Sequence, residues 1–227
     1  MIVLQPVLET YAPAGFDLWP VADPGPHGFL PLNGALDPAQ VGTAVMRIAA
    51  CNDVDPDHDY RPSRPVDPLG SFLHGLLTMA PLFAPGGLRV TDTVNGATLV
   101  PGCCNGLEDW REWFDAVDGH SGGDGAGGRG WFGHDPTPML ERAGDAVRLT
   151  VDAEQDDSPV IELPVPELRR LLNGAERDLA CFLRLAADWA AAHLPDHAAP
   201  VTAALARALD MPVPTPAGTP QHQRSSV

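Results

Sequence analysis

"PELRRLLNGAERDLACFLRLAADWAAAHLPDHAAPVTAALARALD" (residues 166–210) is a long helical segment of this 227-residue chain. The segment is dominated by Ala, Leu and Arg, which are among the strongest helix formers, and it therefore predicts a helical C-terminal part. We expect breaks in this helical part near Gly174 and Pro195, because glycine weakens a helix interior and proline cannot continue one.

Two further helices are indicated upstream. Asp37 is a favourable N-cap, proline follows it, and Gln40 occupies the capping-box position, so a helix is predicted to run to about Cys51. Asp67-Pro68 repeats this start, and the apolar spacing after it predicts a second helix ending near Met79.

Strands are predicted in four places. Residues 1–36 indicate one or two strands among Pro/Gly-rich loops. "LRVTDTVNGATLV" (88–100) predicts a hairpin with a two-residue turn at Asn95-Gly96, and "MLERAGDAVRLTVD" (139–152) a second hairpin turning at Ala143-Gly144-Asp145. "PVIELPV" (159–165) predicts one more strand.

The order of these elements indicates the fold class. Strands and helices mix without regular βαβ alternation, which favours an α+β fold. We predict a single domain over residues 1–210, in which two hairpins form a small antiparallel sheet packed by helices. The Pro-rich segment 211–227 is predicted to be a disordered tail.

The charge balance is strongly acidic. The chain has 30 acidic and 14 basic residues, a formal net charge of −16, and all of its basic residues are Arg. This composition is typical of a GC-rich genome, and it also fits an acidic face that meets a basic protein partner. Nucleic acid is not expected as a ligand, because phosphate binding needs a basic patch.

The missing lysine excludes several classes of enzyme. A Walker A loop, a kinase-type ATP site and a Schiff-base enzyme all require a lysine. No cofactor is predicted from the sequence.

Hydropathy gives an expectation for location. No apolar run approaches the roughly 20 residues that span a bilayer. The first residues show neither a basic region nor a long apolar region, so no signal peptide is expected. We therefore expect a cytoplasmic protein with reduced thiols and no membrane contact.

An acidic loop is the first candidate metal site. "NDVDPDHDY" (52–60) places acids at alternate positions, as at the start of a calcium loop. The glycine and glutamate that such a loop needs further on are replaced by His58 and Arg64. A solvated acidic loop is the favoured interpretation, and the candidate ligands are Asp53, Asp55, Asp57 and His58.

Two glycine-rich motifs lack the context that their chemistry needs. "GHSGG" (119–123) matches the G-x-S-x-G elbow around Ser121, but an acidic helix is predicted before it instead of a strand. "GDGAGG" (123–128) contains G-x-G-x-x-G without a preceding strand or a following helix, so it is interpreted as a linker.

Cys103 and Cys104 stand in "PGCCNGLEDWREW" (101–113). Adjacent Cα atoms lie about 3.8 Å apart, whereas an unstrained disulfide needs roughly 4.4–6.8 Å. The pair is also poorly spaced for one metal ion, because tetrahedral sites favour C-x₂₋₄-C. Asn105 and Glu108 predict a helix cap, and the acids of that first turn oppose a thiolate.

The helix predicted after the cysteines is amphipathic, with an apolar stripe of Leu107, Trp110, Phe114 and Val117. The cysteines are therefore interpreted as small residues that pack a tight turn. The alternative is that Cys104 is a catalytic nucleophile.

"WFGHDPTP" (131–138) closes the glycine-rich loop. His134 beside Asp135 is a candidate acid–base pair or part of a metal site. The favoured interpretation is an aromatic anchor for the loop, with His134 bonded to backbone groups.

The segments "PGCCNGLEDWREW", "WFGHDPTPMLERAGDAVRL" and "IELPVPELRRLLNGAERDLACFL" together resemble a group of actinobacterial proteins without an assigned function. Those proteins share similar Cys-Cys-x-Gly-Leu-Glu-x-Trp and Gly-His-Asp-Pro segments. The resemblance covers about residues 100–190. It implies an origin in a GC-rich actinobacterium and no particular activity.

The sequence supports two hypotheses for function. The leading one is a non-enzymatic protein of immunity or accessory type, whose acidic surface binds a basic protein partner. The alternative is a hydrolase that uses the His134-Asp135 loop together with Cys104, Ser121 or a metal ion.

Overall fold

The computed structural model describes residues 1–11, 15–23, 28–54, 61–119 and 128–215. The helices in these ranges are α1 (Pro38–Cys51), α2 (Pro68–Thr78), α3 (Glu112–Asp118), α4 (Val165–His193) and α5 (Ala198–Ala208). The strands are β1 (Ile2–Thr10), β2 (Gly28–Pro31), β3 (Gly86–Asp92), β4 (Thr98–Leu99), β5 (Arg129–Trp131), β6 (Met139–Ala143), β7 (Ala146–Thr150) and β8 (Val160–Pro164).

The strands form two antiparallel four-stranded sheets, and the chain is a single α+β domain. The first sheet has the order β2-β1-β3-β4, and the second has the order β5-β6-β7-β8. The sequence predicted one small sheet, so the second sheet is a finding of the structure. The α+β class is confirmed.

Both predicted hairpins are present. Ala143 pairs with Ala146, so β6 and β7 are joined by the two residues Gly144-Asp145. The loop between β3 and β4 is longer than predicted, because its last cross-strand pair is Thr91 with Thr98.

Helix α4 is continuous, so the predicted break at Gly174 is wrong. Apolar side chains on both sides of that glycine are fully buried, among them Leu172, Ala175 and Leu179. Their burial outweighs the roughly 1 kcal/mol that a glycine costs in a helix. The break at Pro195 is confirmed, because a short 3₁₀ turn (Pro195–His197) separates α4 from α5.

Helix α4 packs against both sheets of the domain. It contacts β1 of the first sheet and both β7 and β8 of the second. It also contacts α1, α3 and α5. One hydrophobic core therefore runs from one sheet across the helix to the other.

The caps of the first two helices agree with the sequence. The Asp37 carboxylate accepts from the Gln40 N–H at 2.9 Å, and the Gln40 side chain accepts from the Asp37 N–H at 3.0 Å. The Asp67 carboxylate accepts from the Gly70 N–H at 2.7 Å and starts α2 in the same way.

The predicted cap at Asn105 and Glu108 is wrong. The Asn105 amide donates to the carbonyl of Gly86 at 2.7 Å, and the Glu108 carboxylate accepts from the Ala84 N–H at 2.9 Å. Both side chains thus fasten this segment to the start of β3. The single predicted helix is replaced by a 3₁₀ turn (Leu107–Asp109) and by α3.

The apolar stripe predicted after the cysteines is confirmed. Leu107, Trp110 and Val117 are buried, and Phe114 packs against the same core while partly exposed. The Trp110 indole donates to the carbonyl of Leu209 at 3.0 Å, which ties this segment to the end of α5.

None of the helices in the described ranges is both long and apolar enough to cross a membrane.

Two helix glycines should respond to alanine in opposite ways. A Cβ at Gly174 would meet only the Arg177 guanidinium at 3.8 Å, so Gly174→Ala should raise the free energy of unfolding by about 0.5–1 kcal/mol. A Cβ at Gly75 would lie 1.7 Å from the Asn52 carbonyl oxygen, so Gly75→Ala should lower it by about 3 kcal/mol. Urea unfolding of both variants tests this, and stabilisation by both would contradict the packing of α2 on Asn52.

Candidate functional site

Two loop segments meet between the sheets. Residues 102–104 come after β4, and residues 133–135 come after β5. The Cys103 N–H donates to the His134 carbonyl at 2.6 Å, and the His134 N–H donates to the Cys103 carbonyl at 3.2 Å. This two-way backbone pairing places the side chains of the two segments together.

The close approach depends on glycine. A Cβ at Gly102 would lie 2.3 Å from the Pro136 carbonyl oxygen and 2.5 Å from the His134 nitrogen. A Cβ at Gly133 would lie 2.6 Å from the Gly102 carbonyl carbon. Gly133 also has a φ of 100°, a conformation that other residues rarely adopt. The two segments can pair only because neither carries a side chain at these positions.

Cys104 has a left-handed backbone conformation, with a φ of 64°. Successive side chains of an extended segment point to opposite faces, whereas here both thiols lie on one side, with Sγ atoms 3.6 Å apart. Left-handed backbone costs a non-glycine residue roughly 1–2 kcal/mol. The backbone strain at Cys104 therefore accompanies the juxtaposition of the two thiols.

Both cysteines are exposed and neither forms a disulfide. The interpretation that they are small packing residues is therefore wrong. The expectation that adjacent cysteines are poorly spaced for one ion rested on the usual C-x₂₋₄-C spacing of tetrahedral sites. In this structure the left-handed turn at Cys104 places the two Sγ atoms 3.6 Å apart.

His134 and Asp135 form the other half of the site. The Nδ1 atom of His134 lies 3.1 Å from Oδ2 of Asp135. Asp135 has a φ of 52°, so two of the three non-glycine residues with positive φ in the described ranges belong to this site. A ligand atom of His134 and the two thiol sulfurs all lie within 4.8 Å of one another.

Hydrogen bonds within the site shift the pKa values of Cys103, Cys104 and His134. The hydrogen bond with Asp135, followed by the one with Cys104, raises the pKa of His134. The hydrogen bond with His134, followed by the one with Cys103, lowers the pKa of Cys104. The hydrogen bond to Cys104 raises the pKa of Cys103. All of these groups face solvent, which weakens their mutual interactions.

A cleft of about 230 Å³ opens beside the thiols. Cys103 and Asp135 contribute to its wall. The remaining lining residues come from both sheets and their loops: Glu9, Phe29, Gly86, Val100, Pro101, Gly102 and Pro136. A small molecule or a side chain in this cleft would lie next to Cys103.

Phe132 anchors the 131–138 loop as the sequence predicted. It is 3% exposed and stacks on Trp113 with ring centroids 4.2 Å apart. Trp131 is exposed and does not contribute to the anchor. The His134 imidazole bonds to the Asp135 side chain, contrary to the favoured expectation of backbone partners.

The remaining candidates lie elsewhere. Asp53 forms an ion pair with Arg64 at 2.5 Å, which occupies the carboxylate that the calcium-loop hypothesis requires. Asp55, Asp57 and His58 lie outside the described residues, as does Ser121. Within the described ranges, the group that could hold a metal ion is Cys103, Cys104 and His134.

Sequence reasoning named Cys104, His134 and Asp135 as site candidates and did not name Cys103 or Glu9, which line the cleft. The sequence signal for Cys103 was the pair of adjacent cysteines, which can act together if both thiols lie on the same side of the backbone. Glu9 carried no signal, because only the fold brings β1 to the cleft.

The arrangement offers two kinds of chemistry. Cys104 beside an imidazole has the parts of a thiolate nucleophile and its base. Two thiols and an imidazole also form a ligand set for a soft metal ion.

Comparison with protein-family models, with curated proteins and with solved structures returns no match for this chain.

The pairing of the two segments can be tested at Gly102. Gly102→Ala should lower the free energy of unfolding by about 1–3 kcal/mol, because its Cβ would overlap backbone atoms that cannot move independently. Gly96→Ala is the control, since its Cβ has open space and only the left-handed φ of 79° is strained. If urea unfolding shows Gly102→Ala to be as stable as the wild-type protein, the close approach is not present in solution.

Proposed function

We propose that this protein binds a thiophilic metal ion, Zn²⁺ in the first place, through Cys103, Cys104 and His134, and that it acts as a metal-dependent hydrolase on a ligand in the adjoining cleft. The observation that carries this proposal is the convergence of the three ligand atoms within 4.8 Å.

The spacing of the thiols fits one ion. Two thiolates bound at about 2.3 Å to a tetrahedral zinc ion lie about 3.8 Å apart. The Sγ atoms of Cys103 and Cys104 are 3.6 Å apart. Both thiols can therefore reach one ion without a change in the backbone.

A metal gives the two cysteines the same role, whereas a nucleophile gives them different ones. In a thiolate mechanism Cys104 would be the nucleophile and His134 its base, and Cys103 would act only through its hydrogen bond with Cys104. That mechanism leaves unexplained why the backbone at Cys104 is left-handed, with the two sulfurs side by side. Residues held in rare backbone conformations cluster at functional sites. The metal hypothesis gives a role to the second thiol and explains the left-handed backbone at Cys104.

Asp135 has the position of an orienting group. A metal-bound histidine usually donates a hydrogen bond from its second ring nitrogen to a carboxylate, which fixes the orientation of the ring. Here Nδ1 of His134 is hydrogen-bonded to the Asp135 carboxylate at 3.1 Å, and Nε2 would bind the ion. Asp135 is thus a positioning residue and not a ligand.

Three protein ligands leave one coordination position open, which is typical of catalytic zinc sites. When bound, the ion would supply a Lewis acid and an activated water for hydrolysis. The cysteines and His134 are exposed, and Cys103 lines the cleft, so a ligand can approach from that side. This residue set supports the hydrolase hypothesis in its metal-dependent form.

Zinc titration against a chromophoric chelator tests the proposal. The wild-type protein should bind one equivalent of Zn²⁺. Cys103→Ala, Cys104→Ala and His134→Ala should each weaken binding by roughly 100-fold, and Asp135→Asn by roughly 10-fold, because loss of an orienting partner costs less than loss of a ligand.

Cys181→Ala is the matched control, because it removes a thiol outside the site and should leave the zinc affinity unchanged. Stoichiometric zinc binding that survives Cys103→Ala would overturn the proposal. Absent zinc binding together with rapid alkylation of Cys104 would instead support the thiolate nucleophile.

The non-enzymatic hypothesis is retained as a second proposal. It is supported by the net charge of −16 and by an acidic loop that packs on the site segment. Ala153 donates to the Thr137 carbonyl at 2.8 Å, and the Thr137 hydroxyl bonds to Glu154 at 3.1 Å. This loop carries Asp152, Glu154, Asp156 and Asp157 beside the His134 segment. A basic partner would meet these charges at the mouth of the site.

A labelled arginine-rich peptide tests this second proposal. It should bind at low salt and dissociate at high salt, because surface charges are screened. The triple variant Glu154→Gln, Asp156→Asn, Asp157→Asn should weaken binding at least 10-fold. Asp109→Asn, Glu112→Gln, Asp115→Asn removes the same charge near α3 and serves as the control. An equal loss in both triple variants would show that only net charge matters.

A further inference from the structure

We infer that the cleft beside the cysteine pair binds a cationic group, an ammonium or a guanidinium, and that the substrate of the site is a positively charged molecule. The inference rests on the proposed function, since it names the substrate class of the same site. It is carried by the side chains that line the cleft.

Glu9 and Phe29 form the recognition pair. They face each other across the antiparallel pair of β1 and β2, so their side chains lie on the same face of the sheet. Both line the cleft. A carboxylate beside an aromatic ring offers a cation an ion pair and a π face together, a combination that neutral and anionic groups cannot use.

The Glu9 carboxylate is unpaired. Arg47 is hydrogen-bonded to Glu9, but its guanidinium donates to the backbone carbonyl of Glu9, at 3.0 Å. Across the described ranges, no hydrogen bond or ion pair engages the carboxylate itself. Glu9 is only partly exposed, and a partly desolvated carboxylate is stabilised when a cation pairs with it. The cleft therefore lacks the positive partner that a ligand would supply.

The second acidic side chain of the lining is Asp135, and neither Arg nor His is among the lining residues. Asp135 is hydrogen-bonded to His134, so Glu9 is the acidic group of the lining that a ligand cation can pair with. An anionic substrate would be repelled, whereas a cationic one would be attracted.

The geometry also orients the substrate. Glu9 and Phe29 belong to the sheet, while Cys103 and Asp135 belong to the site segments. A cationic group bound at Glu9 and Phe29 would leave the rest of the molecule near Cys103 and Asp135. Glu9 is thus a binding residue, and its role is separate from metal ligation.

Two probes of equal shape test the inference. Nα-acetyl-arginine amide and Nα-acetyl-citrulline amide differ in the charge of the side-chain terminus. Their dissociation constants are measured by NMR titration of the zinc-loaded full-length protein. The arginine probe should bind at least 10-fold more tightly than the citrulline probe, with shifts at Glu9 and Phe29.

Glu9→Gln should lower the affinity for the arginine probe to that for the citrulline probe and leave the zinc affinity unchanged. Glu162→Gln removes the same charge from β8, outside the lining of the cleft, and should change neither. Equal affinity of the two probes for the wild-type protein, or full affinity in Glu9→Gln, would overturn the inference. Failure of the wild-type protein to bind zinc would overturn the proposed function instead, so the two failures are distinguishable.

Discussion

The backbone pairing of Cys103 with His134 is the constraint on which the site depends. It joins the segment after β4 to the segment after β5, and so connects the two sheets. The pairing needs Gly102 and Gly133, because a Cβ at either position would overlap backbone atoms of the other segment. The pairing fixes the backbone positions of both segments. The two thiols, the imidazole and the carboxylate can then move apart only by side-chain rotation.

Helix α4 supports that pairing by packing against both sheets. Its buried face packs on β1 of the first sheet and on β7 and β8 of the second, which holds the two sheets at a fixed separation. Phe132, stacked on Trp113, anchors the His134 segment to the same core. The exposed site is therefore supported by rigid elements, a condition for accurate placement of metal ligands.

Negative charge is common to the cleft beside the proposed metal site and to the acidic surface loop. Glu9 and Asp135 line the cleft, and the loop at 152–157 adds further acids next to Thr137. The same field that would attract a basic protein would attract a small cationic substrate. A cationic ligand in the cleft would contact Glu9, Phe29 and Cys103, which all line it. Both the protein-binding proposal and the hydrolase proposal expect a positively charged ligand, and they differ in whether that ligand is cleaved once it is bound.

The sequence by itself determined the local features: the caps at Asp37 and Asp67, the hairpin at Gly144, the stripe around Trp110 and the helical C-terminal part. Each depends on neighbours within a few residues. It also singled out Cys104, His134 and Asp135 by residue type. Tertiary structure alone decided that α4 continues through Gly174, because buried contacts outweigh local propensity. It alone also decided that Asn105 and Glu108 bind the start of β3 instead of capping a helix. The meeting of the cysteines with His134 and Glu9 depends on segments distant in sequence and on the sign of φ at Cys104, which no pattern of residues encodes.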